Sequence, residues 1–245
     1  MRKNRKQRDN GVVVATVIIT VLFVISVGYL VGGDMTITTL FQSKTDTKTF
    51  YFLSTDGFDD VTIARQNADL IRNRGGAGYV DLQGNNRIIL AVYPDEQSAN
   101  IVRDKVGDNS LIVSSLKGET IDTKVAGNNL KDDVATALTY FDTAFDTLYN
   151  MSNALADDQI SIDDVKTQTM VLRNQIEDIK SVFYENTKDS SHASITEIKV
   201  ALVTCIALID GIEIGDLAQT LSSLRRQTVQ LVFCYQALCN TLSRL

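Results

Sequence analysis

The spacing of hydrophobic positions changes along this chain, and each spacing predicts a different kind of element. Gly11 to Gly33 is a run of 23 residues without a charge. From about 49 to 118, short stretches rich in aromatic and β-branched residues alternate with short helical patterns. From about 130 onward, apolar residues recur at steps of three and four, which keeps them on one face of an α-helix. The chain therefore contains an apolar segment, a sheet module at 49–118 and a helical module at 130–245.

The apolar segment is long enough to cross a bilayer. At about 1.5 Å per residue it spans a hydrocarbon core of about 30 Å, whereas a cleaved signal peptide has an apolar region of about 7–15 residues. Five bases and no acid lie within 2–8, which places this end in the cytoplasm by the positive-inside rule. The sequence predicts a cytoplasmic basic tail at 1–10, an uncleaved transmembrane anchor at 11–33 and a stalk at 34–48. We therefore expect a single-pass cell-membrane protein whose later domains are extracytoplasmic.

The sheet module contains six short patterns in the order βαββαβ. Strand patterns lie at 50–55, 78–83, 87–93 and 111–116, and helix patterns lie at 59–74 and 95–107. Pro94 ends the third strand, and Phe58 is expected to fill the core under the first helix. This order predicts a four-stranded antiparallel sheet with both helices on one side.

Four stretches of the sheet module carry a family resemblance. They are FYFLSTDGF, QNADLIRNRGG, GYV and RIILAVYPDEQSA, spread over the strands and helices of 49–118. In these stretches the chain resembles the SPOR domain, the sporulation- and division-related repeat of bacterial envelope proteins. The resemblance implies binding to septal peptidoglycan, in particular to glycan strands stripped of their peptides. Ser54 and Asp56 stand where the family has Gln and Gly, which favours a second interpretation: a membrane-tethered, oligomerising scaffold whose SPOR-like domain no longer binds glycan.

Strand alternation predicts which residues of the sheet face an incoming glycan. If Tyr51, Leu53 and Thr55 face the two helices, their neighbours point to the opposite, open face. Flat aromatic rings on that face can pack against sugar rings while polar neighbours bind hydroxyl groups. The alternative is that these rings pack against the second domain, the stalk or a dimer partner. The predicted glycan-binding residues are Phe50, Phe52, Ser54, Asp56, Tyr79, Asp81, Arg87 and Ile89.

The helical module predicts an antiparallel four-helix bundle, which follows a linker at 119–129. Four apolar stripes begin at Leu130, Ile162, Ile195 and Leu217, and the short connections between them make successive helices antiparallel. The predicted fold class is therefore α+β: a transmembrane helix, then the βαββαβ sheet with two helices, then the four-helix bundle. We expect the bundle to bind a protein partner, of unknown identity, in division or sporulation.

Catalytic or metal chemistry has little support in the sequence. The single histidine, His192, lies in a polar loop, and neither a zinc motif nor a serine-nucleophile motif is present. Adjacent acids such as Asp163 and Asp164 stand at helix starts, where the helix dipole accounts for them. All 30 acidic residues lie after residue 8. The chain after this point is therefore acidic, which argues against nucleic acid as a partner. The sequence predicts a protein that is not an enzyme and has no metal or cofactor.

The three cysteines are predicted to be free thiols. The last two helices fold back near residue 214, so that Cys205 faces the region near residue 223. Cys234 then lies about 16 Å further along the axis, beyond the Cα separation of about 7 Å that a disulfide allows. Cys234 and Cys239 diverge on one helix, which leaves all three as small core hydrophobes.

Overall fold

The computed structural model describes residues 44–45, 47–83, 85–108, 110–119, 121–122 and 131–245. Ser43–Leu245 form one compact unit. In chain order the elements of the described residues are β1 (Lys44–Thr45), β2 (Thr49–Ser54), α1 (Val61–Arg72), β3 (Tyr79–Asp81), β4 (Arg87–Tyr93), α2 (Glu96–Val106), β5 (Ile112–Lys117), β6 (Ile121–Asp122), α3 (Lys131–Ala156), α4 (Ile162–Asn186), α5 (Ala193–Asp210) and α6 (Leu217–Leu242).

Four of the strands form one antiparallel sheet in the order β3-β4-β2-β5. Strand β2 lies in the middle, where Tyr51 is opposite Tyr93 of β4 and Ser115 of β5. The two short strands β1 and β6 pair separately from this sheet. Elements β2 to β5, together with α1 and α2, follow one another in the order βαββαβ.

Helices α1 and α2 cover one face of the sheet. Leu53 of β2 packs in a cluster with Ala99 of α2, and Ile88 of β4 packs with Ala64 of α1. Phe58 lies against this second cluster, which confirms its predicted place under the first helix. Both helices begin with an aspartate whose carboxylate accepts a backbone N–H of the first turn, a capping interaction that stabilises helix starts.

Helices α3 to α6 form an antiparallel bundle in which each helix packs on the next and α3 also contacts α6. The start of α4 is fixed by a capping box, in which Ser161 and Asp164 exchange hydrogen bonds between side chain and backbone. Asp216 is the N-cap of α6, and its carboxylate accepts the N–H of Gln219. Helix α6 also packs on β4 and α1, and it therefore helps to join the bundle to the sheet.

The second face of the sheet is covered by the bundle. Phe50 and Phe52 of β2 belong to the same core cluster as residues from all four bundle helices. The sheet module and the helical module therefore share one hydrophobic core, and the sheet is a middle layer between α1 and α2 on one side and the bundle on the other.

A bulge in β4 changes which of its residues face the bundle. Leu53 pairs with Ala91, but the next residue, Ser54, pairs with Ile89, so that Leu90 has no partner in β2. Because a bulge shifts the alternation by one residue, Ile89 and Val92 both lie in the bundle-side core. Simple alternation would have placed Val92 on the side of α1 and α2.

The expectation of a membrane-spanning helix is corrected. Among the residues that the structure describes, none of the helices combines the length and the apolar character needed to cross a bilayer. The predicted fold class and the predicted single-pass localisation are therefore wrong for this part of the chain. The segment assigned to the anchor, 11–33, and the basic tail before it lie outside the described residues.

All three cysteines are free thiols, as predicted. Burial raises the pKa of Cys205 and Cys239 to about 12 and that of Cys234 to about 11. At neutral pH these thiols are therefore protonated and behave as small apolar side chains of the bundle core.

Candidate functional site

The phenylalanines of the predicted glycan-binding set lie inside the protein. Phe50 and Phe52 are 3% and 0% exposed. The ring centroid of Phe50 lies 4.7 Å from that of Phe145 in α3 and 6.0 Å from that of Tyr235 in α6. Phe52 stacks on Phe233 of α6 at a centroid distance of 5.3 Å. These rings face the bundle and not an open surface, which corrects the glycan face predicted from strand alternation.

The neighbouring members of the set are enclosed by the same helix. Tyr79 is half-buried, with its ring centroid 5.4 Å from that of Phe233. Ile89 is fully buried, and Ser54 is 1% exposed. The hydroxyl of Ser54 has no hydrogen-bond partner within the described part of the chain. None of these three side chains is placed to meet a polymer arriving from solvent.

The charged members of the set lie at one end of the sheet and are mostly engaged with each other. Asp81 and Arg87 face each other across β3 and β4, with 3.0 Å between Oδ2 and Nε. The Nη1 of Arg87 also donates to Ser114 Oγ at 3.1 Å. Asp56 is exposed, and its carboxylate accepts the N–H of Gly57 at 2.8 Å. Of the eight predicted residues, Asp56 alone is exposed, and the eight do not form one accessible surface.

The sequence of α6 indicates that this helix covers the ring-bearing face of the sheet. Residues 231–235 read LVFCY, five apolar residues in succession, and such a run surrounds the helix and leaves it no polar side. Leu231 and Tyr235 are buried in the bundle, while Phe233 turns toward the sheet. A helix that is apolar on all sides is expected to be buried on all sides, and here the sheet supplies the extra cover.

The only histidine of the chain caps a helix. His192 is the N-cap of α5, and its Nδ1 accepts the N–H of Ser194 at 3.3 Å and lies 2.7 Å from Ser194 Oγ. Because Ser194 is 4% exposed, this pair does not present a nucleophile to solvent. Within the described residues, no group of three or more His, Cys, Asp or Glu is placed to hold a metal ion.

A polar cleft of about 310 Å³ lies between the end of α1 and the start of α6. The guanidinium of Arg72 donates to Gly78 O at 2.5 Å and pairs with Asp69. Arg226, on the opposite wall, lies 3.4 Å from Glu213. The charges of the cleft compensate each other, so that no excess charge selects a ligand. Its lining residues are Arg72, Asn73, Glu213, Asp216, Ala218, Gln219, Ser222, Ser223 and Arg226.

A second, smaller cavity of about 30 Å³ lies where β4, α3 and α6 meet. Its charged group is Arg225, whose Nη1 donates to Gly75 O at 2.9 Å. Burial lowers the pKa of this guanidinium, and the phenols of Tyr93 and Tyr149 lie within electrostatic range of it. The cavity is lined by Ala91, Val92, Tyr93, Tyr149, Ser152, Asn153, Arg225 and Thr228.

Helices α4 and α5 expose apolar side chains along the seam where they meet. The seam is marked by Arg173 Nε, 2.9 Å from Asp210 Oδ1, and by the Tyr184 hydroxyl, which donates to Lys199 O at 3.4 Å. Helix α5 contains three charged residues in 18, and exposed valines lie among them on its outer side. We call this surface the α4–α5 face; its members are Met170, Tyr184, Val200, Val203 and Ile214, which are 58%, 37%, 57%, 48% and 41% exposed.

Comparison with known proteins gives no family for this chain: no family model, no curated protein and no solved structure matches it.

Proposed function

We propose that this protein is a non-catalytic scaffold in which the sheet module is a structural support for the helical module. In this proposal the SPOR-like sheet does not bind glycan, and the protein acts by self-association. One observation carries the first part: the ring-bearing face of the sheet, with Phe52 fully buried against Phe233, is the interface between the two modules. A glycan strand has no access to these rings while the modules are packed together.

The glycan part of the proposal is tested by cosedimentation of the whole chain with sacculi. The whole chain is required because a fragment limited to the sheet module loses α6 and exposes rings that are normally covered. We expect the whole chain to stay in the supernatant with both intact and amidase-treated sacculi. Enrichment on the amidase-treated sacculi would refute the proposal and favour glycan recognition by another surface.

The α4–α5 face supports self-association. An exposed apolar patch on a folded domain is typical of a protein-binding surface. The ion pair of Arg173 with Asp210 and the cation of Lys199 beside the Tyr184 ring give the seam both signs of charge. A surface with both signs of charge is able to pair with its own copy about a twofold axis.

Self-association is tested by measuring the mass of the whole chain in solution as a function of concentration. Val200→Glu together with Val203→Glu places two charges on the α4–α5 face, and we expect this variant to be a monomer where the wild type is a dimer. Val106→Glu is the matched control, because Val106 is 56% exposed and lies at the end of α2. A wild type that stays monomeric at every concentration, or a double variant that still dimerises, would contradict the assignment.

A further inference from the structure

Arg225 is a partly buried cation without a carboxylate partner in the described part of the chain. A guanidinium carries five N–H donors, and the hydrogen bond from Nη1 to Gly75 O uses one of them. The ion pairs of the described residues involve other bases. The ionisable groups that act on Arg225 are the phenols of Tyr93 and Tyr149, and neither of them is a carboxylate. A cation removed from water is costly unless something negative compensates it.

The cavity beside Arg225 is lined by further donors. Burial raises the pKa of Tyr93 to about 12, so that its phenol keeps its proton at neutral pH. Within the described residues, neither Tyr93 nor Tyr149 donates its hydroxyl hydrogen to another group, and the side-chain amide of Asn153 lies in the same wall. The environment is therefore rich in donors and carries a net positive charge.

The size of the cavity restricts what it can hold. Its volume is about 30 Å³, more than the roughly 10–15 Å³ that an ordered water needs in a cavity. The cavity therefore has room for a small anion. The hydroxyls of Ser152 and Thr228 already donate to backbone carbonyls, at 2.9 Å to Tyr149 O and 2.7 Å to Leu224 O, so they do not compete for an acceptor.

We propose that this cavity binds a small inorganic anion, chloride in ordinary solution, held by Arg225 with the hydroxyls of Tyr93 and Tyr149. These three groups belong to α6, β4 and α3. The anion therefore links the sheet to two helices of the bundle at the junction that covers the ring-bearing face. This inference does not depend on self-association or on the absence of glycan binding.

Chloride-dependent unfolding of the whole chain tests the proposal. Ionic strength is held constant while chloride replaces gluconate, a much larger organic anion. A ligand that binds only the folded state, at a free concentration ten times its dissociation constant, raises the folding equilibrium constant about elevenfold. For a chain of this size, that is a Tm increase on the order of 3–6 °C. We expect the increase to saturate with chloride, because the site is single.

Two variants on adjacent residues separate this site from general salt effects. Arg225→Gln is expected to lose the chloride dependence. Arg226→Gln is the matched control, because Arg226 is the next residue on α6 but lies in the other cleft, beside Glu213, and it is expected to keep the dependence. If Arg225→Gln does not fold, Tyr149→Phe serves instead, since it removes one donor and is expected to shift the chloride response to higher concentration.

Binding is also measured directly, by line broadening of the ³⁵Cl resonance on the native protein. Broadening by the wild type that is reduced by excess bromide and is absent with Arg225→Gln supports the site. Equal Tm values in chloride and gluconate without broadening would show that water fills the cavity and would overturn the proposal. Broadening that is the same in wild type and Arg225→Gln would overturn it too, because the anion then binds elsewhere.

Discussion

Replacing Phe52 by alanine is the most direct test of the sheet–bundle interface. The side chain is fully buried and stacks on Phe233 at 5.3 Å. Truncating a buried phenylalanine to alanine costs about 3–5 kcal/mol, since apolar burial is lost and a cavity remains. Small domains are stable by about 5–15 kcal/mol, so this loss is a large share of the total. The urea m-value increases with protein size and should be near 3 kcal/mol/M, the upper end of the usual range of about 1–3, so we expect the unfolding midpoint to fall by on the order of 1–2 M.

The assay is urea unfolding followed by circular dichroism and by tyrosine fluorescence. Because the two modules share one core, both probes should shift together in the Phe52→Ala variant. A double-mutant cycle with Phe233→Ala should give a coupling of about 0.5–1.5 kcal/mol for the stacked pair. Leu70→Ala is the control, since Leu70 is 58% exposed on α1, and it should change stability by no more than about 0.5 kcal/mol. If Phe52→Ala behaves like Leu70→Ala, the ring faces solvent and does not join the two modules.

Two further variants test local features of the helical module. Burial raises the pKa of Asp142 above its ordinary value of 3.8, although Lys48 opposes the shift, so the ionised carboxylate lowers stability as the pH rises above that value. Asp142→Asn should therefore unfold at a higher temperature than the wild type at pH 7, and the difference should disappear below about pH 4. A Tm equal to or lower than that of the wild type at pH 7 would contradict this. Ser161→Ala removes the capping box of α4 and should lower the free energy of unfolding by about 1 kcal/mol, measured by urea titration, whereas Ser181→Ala in the last two turns of the same helix should have less effect.

The elements with strong local signals were predictable from the sequence. The helix patterns at 59–74 and 95–107 correspond to α1 and α2, which are shorter by one or two residues at each end. Aspartates and glycines mark these ends, and their effect is confined to a single turn. The apolar stripes of the bundle were equally clear, because steps of three and four persist over five or more turns.

Features that depend on two distant segments were not predictable in the same way. The bulge at Leu90 places Val92 beside Phe52, although nothing in RIILAVY alone distinguishes a bulged strand from a regular one. The pairing of β1 with β6 involves two residues on each strand, too few to give a periodic pattern. The cavity at Arg225 requires residues from β4, α3 and α6 to meet, and that arrangement exists only after the modules have packed.

The prediction of an open, ring-bearing face was wrong for a reason that applies to any sheet with aromatic residues on its outer face. Alternation correctly places Phe50 and Phe52 on the side away from α1 and α2, but the same pattern suits a sugar ring and another aromatic ring. The side chain itself cannot distinguish these partners, since both offer a flat apolar surface. The information lies in the partner helix, where 231–235 has more apolar positions than a bundle alone can bury. Surplus apolar positions on a bundle helix therefore predict a second layer packed against it, and they make the burial of this sheet face the expected result.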